Sequence, residues 1–146
     1  MALMMSVSGV RGLIGQTMTP VLAAELGSAF GTFLGGGRKV VIGRDSRPSG
    51  PMIQNAVSAG LLAAGCEVVL LDIATTPATA LMVRRLGAAG GIVITASHNP
   101  IIWNGIKFLT DEGLAPPPEQ AERLFAIYRE KMSVLVDVDH LRPIRK

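Results

Sequence analysis

Apolar residues recur along this chain at two different periods, and the alternation between them sets the expected order of elements. Leu22, Leu26, Ala29, Phe30 and Phe33 fall on one face at helical spacing, as do Ile53, Val57, Leu61 and Ala64 further on. A last helical pattern, about residues 118–132, places Leu124, Phe125, Tyr128 and Met132 together. Three helix starts carry the same signal, a cap-type residue ahead of a proline: Thr19-Pro20, Gly50-Pro51 with Ser49 before it, and Thr76-Pro77. Gly35, Gly65 and Gly87 stand where the helices must stop, and each can take the left-handed cap conformation. Between the helices lie short unbroken apolar runs at 39–43 ("KVVIG"), 67–71 ("EVVLL") and 91–95 ("GIVIT"). Continuous rather than alternating runs are what strands covered on both faces require.

Strand, helix, strand, helix, strand with short joins predicts right-handed crossovers and a parallel sheet. The stretch 105–113 ("GIKFLTDEG") has room only for a short strand, expected to be antiparallel and at an edge. The fold class is therefore α/β: a three-layer α/β/α sandwich with a mainly parallel mixed sheet of about four strands. In such a sheet the loops "RDSRPSG", "ATTP" and "ASHNP" all leave the carboxyl ends of strands, the edge at which open α/β sheets bind ligands. Helix N-termini at that edge add amides and a positive dipole end.

Composition narrows the reading in a few places. The chain has 146 residues, about one domain, and 49% are hydrophobic, enough for a real core. Its net charge of +3 is spread along the chain apart from the tail "RPIRK", a solvated end or the start of a connection. With one Trp, one Tyr and no basic stripe, nucleic acid is not an expected partner. Cys66 is the single cysteine, so no internal disulfide can form; it reads as a small hydrophobe beside a strand. The N-terminus has no cationic region ahead of its apolar run, and residues 86–106, though free of Asp, Glu, Lys and Arg, hold several glycines, a proline and a histidine. No membrane span is expected, and a cytoplasmic location is.

The chemistry-bearing motifs follow. The glycine-rich "GTFLGGGRK" (31–39) comes after a helix and before a strand, the reverse of a phosphate-binding loop, and reads as a helix stop. "GRDSRPSG" (43–50) offers Arg44 and Arg47 to a phosphate or an acidic partner, with Asp45 to orient one of them, or else a turn with solvated charges. "SGVRG" (8–12) sets Arg11 between glycines, in a segment without strand or helix period: a phosphate fork or a mobile arm. "TASHNP" (95–100) puts Ser97 and His98 at the end of a buried strand. It is not a nucleophile elbow and lacks a carboxylate nearby in sequence, so Ser97 is either an activated nucleophile, a carrier of a phosphoryl group, or a turn residue. "NGIKF" (104–108) brings Lys107 one strand later, as a functional amine or as a lysine guarding a sheet edge.

In this order, "SGVRG", "GRDSRPSG", "TASHNP" and "NGIKF" resemble the N-terminal domain of the α-D-phosphohexomutase superfamily, from about residue 6 to residue 131. The resemblance implies that Ser97 is the residue phosphorylated in the resting enzyme. It would pass its phosphoryl group to a hexose 1- or 6-phosphate and recover the other phosphate from a hexose 1,6-bisphosphate. It further implies that His98 stabilises the transferring group, Lys107 acts as general base toward the sugar hydroxyl, and Arg11 supports the phosphoryl group. One Mg²⁺ would be ligated by phosphorylated Ser97 together with aspartates of a second domain. Phosphoryl transfer asks mainly for positioning and charge stabilisation, which such a set supplies.

The family's enzymes have four domains, and their metal-binding aspartates, sugar-selecting loop and substrate-phosphate site lie outside a segment of this length. "VDVDH" (136–140) lacks the glycines of the metal loop. Residues 1–133 are accordingly expected to form the phosphoserine domain and 134–146 the start of a connection to a second one, the domain alone being inactive or nearly so. Two rival readings stay open: a small serine hydrolase or phosphatase built on Ser97 and His98, and a non-catalytic sugar-phosphate binding domain. The hexose is not specified by these residues.

Overall fold

The computed structural model describes residues 3–146. In chain order its elements are β1 (Met4–Ser6), β2 (Gly9–Leu13), α1 (Pro20–Leu34), β3 (Lys39–Arg44), α2 (Gly50–Ala63), β4 (Glu67–Ile73), α3 (Thr76–Arg85), β5 (Gly90–Ile94), β6 (Trp103–Leu109), α4 (Pro118–Arg129), a 3₁₀ turn (Val138–His140) and β7 (Ile144–Arg145). The strands form one sheet in the order β1-β2-β6-β5-β3-β4-β7. β5, β3, β4 and β7 run parallel; β6 is antiparallel to β5, and β2 antiparallel to β6. The predicted class holds, but the sheet has seven strands rather than about four.

The three apolar runs are the buried centre of that sheet. Val40 and Ile42 of β3 face a core made with α1, α2 and α4, while Val41 between them joins Val83 of α3 and Val93 of β5 on the opposite face. Alternate residues thus serve both layers, and all five residues of β5 are buried. Helices α1 and α2 pack backbone to backbone: a Cβ on Gly60 would lie 2.1 Å from the carbonyl oxygen of Ala24, and one on Gly27 would lie 2.5 Å from that of Val57.

Thr19 caps α1 by accepting the amide of Leu22, and Gly35, Gly65 and Gly87 all adopt positive φ after their helices. α3 is capped by Thr75 rather than Thr76; its hydroxyl accepts from Ala78 N. Ser49 precedes α2 without capping it, because its hydroxyl instead accepts from Asn104 Nδ2 at 2.7 Å. The last helix ends at Arg129, Lys131 turning left-handed (φ 53°), so Met132 is exposed rather than on the buried face of Leu124 and Phe125. The three glycines at 35–37 form the expected turn, their amides bonded to Thr32, Gly31 and Gly65 carbonyls.

Two strand expectations change. Residues 9–13 form β2, not an arm without period, and β6 is antiparallel but interior, because β2 pairs along its outer side. Glycines at 9 and 12 conceal the alternation that would have marked the strand. Lys107 is therefore not a guard on a sheet edge. After α4 the chain is tied first to the helices, Val134 N bonding Thr32 Oγ1 of α1 and Val136 N bonding Ala63 O of α2; at the other sheet edge β7 then pairs with β4, Arg145 meeting Glu67 at 3.1 Å. No helix is long and apolar enough to cross a membrane among the described residues.

Candidate active site

β2 and β6 bring two cations to one place. Their register sets Arg11 opposite Gly105, two residues before Lys107, so both side chains rise from the same sheet face. Gly105 makes the space: a Cβ there would come within 2.8 Å of Arg11 Cγ and 2.7 Å of Thr95 O. Gly9 allows the same close approach from β2, since its Cβ would fall 2.3 Å from Ile106 O, and its φ of +127° suits glycine alone.

Ser97 comes to this place from the end of β5. The loop from Thr95 to Pro100 turns back tightly, Asn99 N donating to Ala96 O at 3.1 Å and Ser97 N to Thr95 Oγ1 at 3.1 Å. Ser97 itself is left-handed, φ 55°, a conformation a non-glycine residue holds only where its surroundings enforce it. The result is an open depression of about 200 Å³ lined by Ser8, Val10, Arg11, Ser97 and Lys107. It holds two cationic side chains, two hydroxyls and no carboxylate, a charge balance that favours an anion. Arg11 Nη1 donates to Asn99 Oδ1 at 3.0 Å, which ties its guanidinium to the Ser97 loop; Ser97 Oγ and Lys107 Nζ have no partner among the described residues.

Three of the four predicted site residues thus meet. His98, exposed on the next position of the loop, does not line the depression and has no hydrogen bond to Ser97. Ser8 joins the site through its place at the β1–β2 turn, with its hydroxyl 2.8 Å from that of Ser6. The serine before Gly-Val-Arg-Gly was its only signal in sequence.

In the loop after β3 the acidic partner expected for an arginine is Asp45 itself, and the charges are not left solvated. The Arg47 guanidinium is turned inward, bound to the Asp45 carboxylate, to three backbone carbonyls of the Ser97 loop and to that of Trp103 at the start of β6. Asp45 does orient it, and in turn accepts the Thr95 hydroxyl at 2.7 Å. Arg44 bonds Asp45 O at 3.4 Å, and its Nε is buried without a partner. Both arginines are engaged within the fold.

Whether this set fits the implied Mg²⁺ can be tested on its donors. No group of three or more His, Cys, Asp or Glu among the described residues is placed to hold a metal. Asp45, the carboxylate of the neighbouring loop, is consumed by Arg47 and Thr95. The described residues would give a metal at most an oxygen on Ser97, which does not make a site.

The likeness to known proteins covers nearly the whole chain. Residues 3–134 match the family described as phosphoglucomutase/phosphomannomutase, alpha/beta/alpha domain I. The sequence is 46% identical over 120 residues to a probable phosphoglucosamine mutase of Thermococcus kodakarensis, covering 82% of this chain and 26% of that protein. It is 43% identical over 137 residues to a phosphoglucosamine mutase of Thermoanaerobacter sp. (strain X514), covering 92% of this chain and 31% of that one. A crystal structure of a phosphoglucomutase/phosphomannomutase family protein from Burkholderia thailandensis superposes with a TM-score of 0.81 at 30% identity, over 97% of this chain and 33% of that chain. The chain spans about a quarter to a third of the length of these relatives. By the extent of the family match, and by the fold that agrees with it, the chain belongs to the phosphoglucomutase/phosphomannomutase family and carries its first α/β/α domain.

Proposed function

We propose that this chain is the phosphoryl-carrying domain of a phosphohexomutase, with Ser97 as the carrier. The observation that supports this most is that Ser97, Arg11 and Lys107, from three different strands or their ends, line one electropositive depression. A phosphoryl group on Ser97 brings nearly two negative charges, which the permanently charged guanidinium of Arg11 offsets, while the Lys107 amine stands beside it as the base. In the transfer, a hydroxyl of the bound hexose phosphate attacks phosphorus and gives its proton to the Lys107 amine. The bond between phosphorus and Ser97 Oγ breaks with its electron pair left on Oγ. The reverse step, from the other end of a hexose 1,6-bisphosphate, restores the phosphoserine. Arg11 contributes by holding the phosphoryl oxygens as charge redistributes among them.

The serine-hydrolase reading has less support, since it needs a base in reach of Ser97 Oγ and His98 makes no such bond. His98 is assigned a supporting contact with the phosphoryl group once substrate closes over the exposed loop. Mg²⁺ would compensate charge at the phosphoserine, but its remaining ligands would have to come from outside the described residues, and no step is routed through it. The phosphoglucosamine mutases among the relatives favour glucosamine phosphate as the hexose.

Peptide mapping by mass spectrometry tests the reading directly. The product of the full reading frame is digested before and after exposure to a hexose 1,6-bisphosphate. A phosphate ester on the peptide containing Ser97, abolished by Ser97→Ala, is the expected result. A folded protein that carries none under either condition would overturn it.

A further inference from the structure

We propose that Arg47 is a positioning residue for phosphoryl transfer, setting the shape of the Ser97 loop and the direction of the His98 amide; this consequence rests on Ser97 being the phosphoryl carrier. A guanidinium has five N–H donors in a rigid plane. On Arg47 all five are used: Nε to Asp45 Oδ2 at 3.3 Å, Nη1 to the carbonyls of Pro100 (2.8 Å) and Trp103 (3.1 Å), and Nη2 to those of Ser97 (3.0 Å) and Asn99 (2.8 Å). The side chain is only 12% exposed. Its own backbone is fixed by Asp45, which accepts the Arg47 amide at 3.1 Å, while Asp45 N is bonded to the last residue of β5 through Ile94 O. One plane therefore gathers three carbonyls of a loop that has no regular structure between 95 and 102, and ties them to a fourth, that of Trp103 at the start of β6.

Drawing carbonyls to one side has a consequence on the other. The peptide linking Ser97 to His98 is planar and trans, so its N–H points opposite to the carbonyl that Arg47 holds. The His98 amide has no acceptor among the described residues. Arg47 thereby turns it outward, free to donate to an oxygen of a phosphoryl group on the preceding serine. The same grip explains the left-handed Ser97: with its carbonyl pinned by Arg47 and its amide by Thr95, the backbone on both sides is fixed. An amine could not do this. Lysine has three donors and no plane, and could hold only part of the set.

The test uses Arg47→Ala and Arg47→Lys in the product of the full reading frame, with Lys as the second variant should Ala fail to fold. Hydrogen exchange reads the loop through the amides of Asn99 and Trp103, both bonded within it, and reads the sheet through Val41 and Val93. Expected in either variant is a rise of at least about tenfold in loop exchange with the sheet unchanged. Transfer of phosphate from a hexose 1,6-bisphosphate to Ser97 should fall by about 100-fold. Millimolar guanidinium ion should recover at least about tenfold of that in Arg47→Ala and do nothing for wild type, a rescue that a merely structural loss would not show. Wild-type loop exchange in the folded variants, or Arg47→Lys transferring phosphate at the wild-type rate, would overturn the proposal. A wild-type protein that takes no phosphate, beside variants whose loop has loosened, upholds the positioning by Arg47 and overturns the phosphoserine reading alone.

Discussion

Arg11 and Asn99, 88 residues apart, are joined by a 3.0 Å hydrogen bond from guanidinium to side-chain amide. It is a direct tie between the β2 strand and the loop that carries Ser97. Arg11 has five donors, and this bond uses one while aiming the rest at the depression. Asn99→Ala should therefore lower phosphate transfer to Ser97 by about tenfold, equivalent to about 1.4 kcal/mol of lost positioning. Asn99→Asp should do worse, because a carboxylate would neutralise Arg11 and repel the phosphoryl group. Transfer rates measured for both variants check this. Equal rates for Asn99→Asp and wild type would mean that Arg11 does not need Asn99 to meet the phosphate.

Ser97 at φ 55° makes a second prediction, in which stability and function part. Left-handed backbone costs an alanine or serine about 1 kcal/mol that a glycine does not incur. Ser97→Gly and Ser97→Ala should both abolish phosphorylation. Chemical denaturation should nevertheless find the Gly variant more stable than the Ala variant by about 1 kcal/mol. Two variants of equal stability would show that the loop relaxes out of the left-handed region once the hydroxyl is gone.

The α1–α2 contact predicts a large effect far from the chemistry. Ala is the better helix former, and on propensity alone Gly60→Ala would stabilise by about 1 kcal/mol. Here the new Cβ would sit 2.1 Å from Ala24 O and 2.8 Å from Ser28 N, both backbone atoms of α1. The helices must separate, and overpacking of this kind costs about 1–3 kcal/mol; contacts this short with backbone atoms call on the upper part of that range, so the net change should be destabilising by up to about 2 kcal/mol. A thermal melt would show it as a drop in Tm. An unchanged or raised Tm would mean that α1 can shift without loss elsewhere.

The parts legible in sequence were those with strong local signals. β3, β4 and β5 are unbroken apolar runs between Gly and Pro punctuation, and α1 and α2 have buried faces at regular spacing with cap residues ahead of them. β1, β2 and β7 carry no such signal. Two glycines interrupt β2, and β7 is two exposed residues held by pairing with β4, so their strand character comes from partners distant in sequence. The site divides in the same way. Arg11, Ser97 and Lys107 stand in motifs, and the β2–β6–β5 pairing brings them together. Arg47 was visible as a charge, but its partners are main-chain oxygens of residues 97–103, and nothing in their side chains marks them as acceptors.

Cys66 gives a prediction in pH. The thiol is free and fully buried, and burial pushes its pKa up from 9.0, against weaker lowering by a backbone hydrogen bond at Arg38 and by the charges of Arg142 and Arg38. In the unfolded chain the thiol loses its proton near pH 9, while in the fold it keeps it to higher pH. The native state therefore binds more protons above that point, and stability must fall as pH rises from about 9 toward the folded value. Below the unfolded pKa the full stability is present. Tyr128, also raised by burial and then by Glu25, adds a decline of the same sign above its ordinary value of 10.0, so wild type alone cannot isolate the thiol. Cys66→Ala can: it should be less stable than wild type at pH 7 through the cavity it leaves, with the gap narrowing between pH 9 and 10 as wild type alone bears the thiol's loss. Urea denaturation at pH 7, 8, 9 and 10 supplies the comparison. The native thiol should also resist alkylation at pH 8 and react only as fast as the fold opens. A constant gap between the two proteins across that range, or rapid alkylation of the native chain, would show that Cys66 is not held in the dry core between α1 and the sheet.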